Sequence, residues 1–198
     1  MTVKVKVCGI TRKVDLDAAA NAGADSVGFV VAVPSSPRNI SFSEARRLIC
    51  QAPSSLDTVA VTVYNGATML RKMRSQVKPD LIQIHGGVDL AIERERSLAA
   101  KIIRAVDMSS SRVREEAVRS AEIYRAILLD TCGERGVGGT GVAHDWRLSR
   151  IVRDLIHPKP TILAGGLRAD NVAEAIRVVE PYGVDVSSGV EAKPGVKD

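Results

Sequence analysis

Short apolar runs recur along the 198-residue chain, about one in every 25 residues, and each ends in a polar or glycine-rich cluster. Most runs are β-branched or aliphatic stretches of the length of one strand, which is typical of parallel strands buried on both faces. The pattern predicts eight strands, at residues 3–7, 26–33, 58–63, 81–85, 101–105, 126–129, 161–164 and 184–187.

The segments between these runs have the spacing of amphipathic helices. Ser41 and Glu44 stand three residues apart, as in a capping box, and Asp145 is a second candidate N-cap. Residues 172–179 place their aliphatic side chains on one helical face. Strands that alternate with helices predict right-handed βαβ units and a parallel sheet.

Eight repeats in so short a chain favour closure into a single-domain (β/α)8 barrel over residues 1–198, with an open doubly wound sheet as the alternative. The sequence ends at Asp198, where an eighth helix is expected to begin, so we expect about seven helices and no final C-terminal helix. Residues 133–141 contain five glycines between Asp130 and Asp145. A loop of this length is typical of a lid, a binding loop or a disordered segment.

The composition is that of an ordinary soluble globular protein and argues against a nucleic-acid-binding protein. Aromatic residues make up 3% of the chain, so the core must be built from Val, Ile, Leu and Ala. The net charge is +5, but the basic residues are dispersed among acidic ones and stacking residues are scarce. A mildly basic surface of this kind would steer an anionic substrate toward the protein.

The cysteines and the lack of long apolar runs indicate a cytoplasmic protein. Cys8, Cys50 and Cys132 are widely spaced and form no CxxC pair, so neither a disulfide framework nor a zinc site is supported. Free thiols fit a reducing compartment. The chain enters its first strand without a signal peptide, and no run approaches the ~20 residues that span a membrane, so we expect no membrane partner.

Two side chains that could carry acid–base chemistry follow predicted strands. Cys8 ends the first strand and Asp130 follows the sixth, and active sites in these barrels gather at the carboxyl ends of strands. Cys8 is either a buried small hydrophobe or a thiolate that acts as base or nucleophile. Asp130 is either a helix cap or surface ion-pair partner, or an acid whose pKa is raised by burial.

Two small-residue turns suggest a phosphate site. Gly165-Gly166 follows the seventh strand and Ser187-Ser188-Gly189 follows the eighth, where backbone N–H groups of such barrels often bind phosphate. Each turn alone could be an ordinary tight turn.

Two further side chains have two interpretations each. Arg38 could hold a carboxylate with its guanidinium fork or be a solvated surface charge. His85 could line the pocket or bond a loop carbonyl.

Seven motifs occur in an order that closely resembles the phosphoribosylanthranilate isomerase family of (β/α)8 enzymes in tryptophan biosynthesis. The resemblance runs from Lys4 to Asp198, and its first and last motifs are highly specific as a pair. The motifs are Lys6-Val7-Cys8-Gly9-Ile10-Thr11, Ser36-Pro37-Arg38, Gln83-Ile84-His85-Gly86, Leu128-Leu129-Asp130-Thr131, Gly138-Gly139-Thr140-Gly141, Leu163-Ala164-Gly165-Gly166-Leu167 and the segment from Gly183 to Glu191.

This resemblance implies an intramolecular oxidoreductase that performs an Amadori rearrangement of N-(5-phosphoribosyl)anthranilate to 1-(2-carboxyphenylamino)-1-deoxyribulose 5-phosphate. It implies that Asp130 is the general acid, Cys8 the general base and Arg38 the ligand of the anthranilate carboxylate. It implies no cofactor and no metal, because no redox partner is needed. The substrate-binding residues expected from it are Arg38, His85, Gly139, Gly165, Gly166, Ser187, Ser188 and Gly189.

The chain departs from the family at three places: the expected final helix is missing, residues 30–33 lack the aromatic side chains of many members, and the glycine-rich loop is longer. Two other functions stay open at this point. One is the related sugar isomerisation of histidine biosynthesis, which is associated with paired aspartates rather than with a cysteine on the first strand. The other is a non-catalytic phosphate-binding or scaffold barrel completed by a partner chain. The sequence gives no prediction of oligomeric state.

Overall fold

The structure, a computed structural model, describes residues 2–87, 92, 95–131 and 144–198. Among the described residues, eight strands form the barrel sheet and pair in parallel with their neighbours. β1 pairs with β2 on one side and with β8 on the other, so the sheet closes. The predicted (β/α)8 barrel is therefore confirmed, and the open sheet is wrong. The strands are β1 Lys4–Cys8, β2 Ser26–Val31, β3 Asp57–Val63, β4 Leu81–His85, β5 Ile102–Asp107, β6 Ala126–Asp130, β7 Thr161–Leu163 and β8 Gly183–Val186.

Seven α-helices lie in the described part of the chain. Two N-caps expected from the sequence are formed, because Ser41 Oγ accepts from Glu44 N at 3.1 Å and Asp145 Oδ1 accepts from Arg147 N at 2.9 Å. The helices are α1 Lys13–Asn21, α2 Phe42–Ile49, α3 Ala67–Gln76, α4 Arg96–Ala99, α5 Val113–Ile123, α6 Trp146–Ile156 and α7 Val172–Val179.

The segment after β8 is not helical. Ser188–Val190 forms a single 3-10 turn, and Glu191–Lys193 then pairs antiparallel with Val196–Lys197 in a small hairpin. Lys197 Nζ donates to Ser187 O at 3.0 Å, so this hairpin folds back against the end of β8.

Two strand ends were predicted wrongly by two residues: β5 runs to Asp107 rather than to residue 105, and β2 ends early. We expected the second strand to reach residue 33, but β2 ends at Val31 because Ala32 has a left-handed backbone with φ of 59°. The chain then returns through the short strand Asn39–Ile40, which pairs with the end of β2. Asn39 Oδ1 accepts from Val33 N at 2.8 Å and closes the loop that carries Arg38.

The core has an inner and an outer layer. Side chains that alternate along the strands fill the barrel interior, and the other faces of the strands pack against the helices. The interior is mostly aliphatic, as the low aromatic content requires, but Lys6, Gln83 and Asp185 are also buried. The aliphatic members of this inner layer are Val30, Val33, Val59, Val61, Ile103, Ala105, Ala126, Leu128, Ile162 and Ala164.

Gly139, Cys132 and the predicted lid at 133–141 lie outside the described residues. The prediction that residues 1–198 form one domain stays a prediction. None of the helices in the described ranges is long and apolar enough to cross a lipid bilayer.

Candidate active site

A cavity opens at the carboxyl ends of the barrel strands and brings together most of the candidate residues. Cys8 at the end of β1 and Asp130 at the end of β6 both line it, although they are 122 positions apart in the sequence. Their side chains are 8% and 5% exposed, so both lie in a largely dry environment. The other predicted residues on its wall are Arg38, His85, Gly165, Gly166, Ser187 and Ser188.

The thiol of Cys8 occupies space that a missing side chain leaves open. Cys8 is the register partner of Gly28 on β2, and a Cβ at Gly28 would lie 2.8 Å from Cys8 Sγ. Burial raises the pKa of the Cys8 thiol above its ordinary value, while Lys6 and Lys197 lower it and Asp185 raises it further. Cys8 is therefore a thiol of raised pKa on the cavity wall, and its thiolate is a correspondingly stronger base.

The carboxyl of Asp130 is buried but partly hydrogen-bonded. Its Oδ1 accepts from Thr131 N at 2.8 Å. Burial, with a further contribution from the negative charge of Asp185, raises the pKa of Asp130 to about 7. A carboxyl of this kind holds a proton near neutral pH and can act as a general acid.

The two turns predicted to bind phosphate are in contact with each other. Gly165 and Gly166 have left-handed backbones with φ of 81° and 65°. A Cβ at Gly189 would lie 1.9 Å from Leu167 O, so only glycine allows the two turns this approach. Asn171 Nδ2 donates to Gly166 O at 2.9 Å and holds the first turn against the start of α7. The paired turns present small residues and backbone groups to the cavity, as an anion site requires.

Arg38 is not a solvated surface charge. Its side chain is 12% exposed, and its Nε donates to Glu191 Oε1 at 2.8 Å while its Nη2 donates to Glu191 Oε2 at 2.5 Å. Lys197 Nζ also donates to Glu191 Oε1, at 3.0 Å. Gly9 leaves room for the guanidinium arm, since a Cβ there would lie 2.6 Å from Arg38 Cδ. The fork is thus fixed by an internal carboxylate at the cavity wall.

His85 is a neutral ring on the wall of the cavity. Gln83 Nε2 donates to His85 Nε2 at 2.9 Å. Burial, together with the positive charges of Lys6 and Arg104, lowers the pKa of His85 to about 4. At neutral pH His85 can therefore offer a hydrogen bond but no positive charge.

Sequence reasoning missed several charged groups of the cavity. Lys6 and Asp185 form a buried ion pair inside the barrel. Glu191 fixes Arg38 from the C-terminal hairpin and is itself bonded to Lys197. The spacing contains a signal for the first pair, because Lys6 precedes Cys8 by two residues and Asp185 precedes Ser187 by two. Side chains two residues apart on a strand share a face, so Lys6 points inward with Cys8 on β1. Ser187 lies just past the end of β8, and it lines the cavity together with Asp185.

Comparison with known proteins gives consistent matches over almost the whole chain. A family model described as N-(5'phosphoribosyl)anthranilate (PRA) isomerase matches residues 5–198. An N-(5'-phosphoribosyl)anthranilate isomerase of Haloferax volcanii is 46% identical over 198 residues, which cover 98% of this chain and 87% of the relative. One from Legionella pneumophila is 38% identical over 196 residues, with coverage of 99% and 91%.

Solved structures give the same picture. The crystal structure of a phosphoribosyl anthranilate isomerase from Thermotoga maritima superposes with a TM-score of 0.86 at 39% identity, covering 100% of this chain and 93% of that one. A second isomerase structure, in complex with reduced 1-(o-carboxyphenylamino)-1-deoxyribulose 5-phosphate, has a TM-score of 0.84 at 38% identity and the same coverage. A thiamine phosphate pyrophosphorylase from Pyrococcus furiosus, at 18% identity and a TM-score of 0.62, shares the fold alone.

Proposed function

The chain belongs to the N-(5'-phosphoribosyl)anthranilate isomerase family and is an isomerase of tryptophan biosynthesis, and we propose that Asp130 and Cys8 are its general acid and general base. The observation that carries this assignment is the placement of the two groups on the wall of one buried cavity. One is a carboxyl with a pKa of about 7 and the other is a thiol with no disulfide partner.

The first step is opening of the ribose ring. Asp130 donates its proton to the furanose oxygen, the bond between this oxygen and C1 breaks, and the lone pair of the anthranilate nitrogen forms a C1–N double bond. The product is an open-chain iminium ion and an Asp130 carboxylate. Burial keeps a large share of Asp130 protonated near neutral pH, so the proton that this step needs is available.

The second step moves a proton away from C2. The thiolate of Cys8 takes this proton, and the electron pair of the C–H bond forms a C1–C2 double bond while the C1–N double bond becomes single. The resulting enolamine tautomerises: the Cys8 thiol gives a proton to C1, and the C2 hydroxyl loses its proton to the Asp130 carboxylate as it becomes the ketone. Both groups thereby regain their starting forms. Atoms and charge balance without an oxidant, so the chemistry needs no cofactor.

Binding groups at two parts of the cavity would hold the substrate during both steps. The backbone N–H groups of the turns at Gly165-Gly166 and Ser187-Ser188-Gly189 would receive the phosphate. Arg38 would receive the anthranilate carboxylate through Nη1, because Glu191 already binds its Nε and Nη2. His85 would donate a hydrogen bond from its wall. A reduced Cys8 and an anionic substrate both fit the cytoplasm as the compartment.

The test follows the loss of substrate fluorescence when the purified protein is added. We expect Cys8→Ser and Asp130→Asn each to lower turnover by orders of magnitude, with urea unfolding still cooperative. Cys50→Ser is the matched control, since Cys50 is an exposed free thiol. Near-normal turnover in either active-site variant would remove the role proposed for that residue.

A further inference from the structure

A buried ion pair lies beneath the proposed acid and base. Lys6 Nζ and Asp185 Oδ2 are 2.8 Å apart, and their side chains are 3% and 7% exposed. The pair joins β1 to β8, where Lys6 and Asp185 are register partners. Burying two charges is costly even when they are paired, and such a pair adds little to stability compared with apolar residues. Stability therefore does not explain why this pair lies in a mostly aliphatic barrel interior.

The positive end of the pair lies beside the base. Lys6 and Cys8 are two residues apart on β1, so both side chains point into the barrel. Both reach the space opposite Gly28, where a Cβ would lie 2.8 Å from Cys8 Sγ and 3.0 Å from Lys6 Nζ. The absence of a side chain at Gly28 thus leaves one space that both the Lys6 ammonium group and the Cys8 thiol approach.

The negative end of the pair faces the cavity. Asp185 lines the cavity together with Asp130, and its Oδ1 is buried with no hydrogen-bond partner in the described part of the protein. Charges are poorly screened in such a buried environment, so this carboxylate acts on groups across the cavity. Its negative charge favours a neutral Asp130 over an ionised one.

We propose that the Lys6–Asp185 pair is a positioning element that orients the active-site proton, its cation favouring the thiolate of Cys8 and its anion favouring the protonated carboxyl of Asp130. This assignment rests on the proposed roles of those two residues. The reaction needs the proton on Asp130 and not on Cys8. An ion pair aligned in this way raises the population of that form without touching the reacting atoms.

The charges around each group agree with this orientation. Besides Lys6, the charged groups that act on Cys8 are Asp185, Lys197 and Arg38, and after burial the effect of Lys6 on its pKa is the largest. The charged groups that act on Asp130 are Asp185, Lys6 and Asp107, and after burial the effect of Asp185 is the largest. Lys6 is therefore the strongest charge acting on Cys8, and Asp185 is the strongest charge acting on Asp130.

The double variant Lys6→Met/Asp185→Asn tests the proposal because it removes both charges at once and leaves neither buried alone. In a Cys50→Ser/Cys132→Ser background, Cys8 is the sole thiol, and its titration is followed by the rate of alkylation with iodoacetamide against pH. The titration of Asp130 is followed by carbon NMR of labelled aspartate, with Asp130→Asn identifying the signal. Neither readout needs the substrate.

We expect the two midpoints to move in opposite directions, that of Cys8 to higher pH and that of Asp130 to lower pH, each by about one pH unit, a tenfold change in the populated form. The proposal is overturned if the two midpoints stay in place. It is also overturned if both midpoints move in the same direction, which is what a change in burial would cause. If the double variant does not fold, Lys6→Met must raise the Cys8 midpoint and Asp185→Asn must lower the Asp130 midpoint.

A matched control is available on the same strand. Lys4 and Asp25 form an ion pair of 2.7 Å at the other end of β1, with side chains 52% and 33% exposed. We expect Lys4→Met/Asp25→Asn to leave both midpoints unchanged. A folded parent without isomerase activity would count against the proposed function, whereas unmoved midpoints in an active enzyme would count against the Lys6–Asp185 pair alone.

Discussion

Replacing Gly189 by alanine tests how the two proposed phosphate turns are assembled. A Cβ on Gly189 would lie 1.9 Å from Leu167 O and 3.0 Å from Leu167 C. The obstacle is backbone, so no rotamer change relieves it, and the turns after β7 and β8 must separate by about 1 Å. A displacement of about 1 Å in a binding group can cost on the order of a hundredfold in rate.

The expected result is a large rise in KM with a smaller fall in kcat, because the phosphate groups bind in both the ground state and the transition state. Inhibition by inorganic phosphate should weaken in parallel. Overpacking should also lower the free energy of unfolding by about 1–3 kcal/mol, measured by urea denaturation.

Gly23→Ala separates the loss of stability from the loss of binding. Gly23 has a left-handed backbone with φ of 83°, but nothing lies within 4 Å of the added Cβ. This variant should lose about 1–2 kcal/mol through backbone strain and keep the parent KM. A Gly189→Ala enzyme with the parent KM would refute the assignment of these turns to phosphate binding.

Two further predictions concern single side chains. The pKa of Asp130 is raised to about 7 in the folded protein, so its burial destabilises the fold progressively as the pH rises from about 4 to about 7. In urea unfolding, the free energy of unfolding of Asp130→Asn should therefore rise relative to that of the parent by up to about 1.4 kcal/mol per pH unit across this window. A difference between the two proteins that does not change with pH would contradict the raised pKa. Arg38→Lys cannot keep the two-point contact with Glu191 and should raise KM about tenfold with a smaller effect on kcat. A parent-like KM would show that Arg38 does not bind the substrate.

The architecture could be predicted from the sequence because its signals are local. Buried parallel strands form continuous aliphatic runs, and the caps at Ser41 and Asp145 lie within three residues of the groups they bond. The location of active sites at the carboxyl ends of barrel strands also predicts that Cys8 and Asp130 lie at the same end of the barrel. The left-handed residue at Ala32, which ends β2 early, carries no such signal because alanine rarely adopts that conformation.

The charged partners could not be predicted, since they depend on contacts between distant parts of the chain. Arg38 meets Glu191 across 153 residues, and Lys6 meets Asp185 across 179. Each pairing requires the closed barrel and its register, so the sequence alone left Arg38 as either a ligand or a surface charge. The scaffold and histidine-pathway alternatives also stayed open until the family match over residues 5–198.

The pH dependence of kcat/KM for the parent, Cys8→Ser and Asp130→Asn tests the acid–base assignment most directly. The account predicts a bell-shaped profile for the parent. The residual activity of Asp130→Asn should only rise with pH, as the Cys8 thiol ionises, and that of Cys8→Ser should only fall as the pH passes about 7, as Asp130 loses its proton. If both variants kept the bell-shaped pH profile of the parent, the assignment of Asp130 as acid and Cys8 as base would be contradicted.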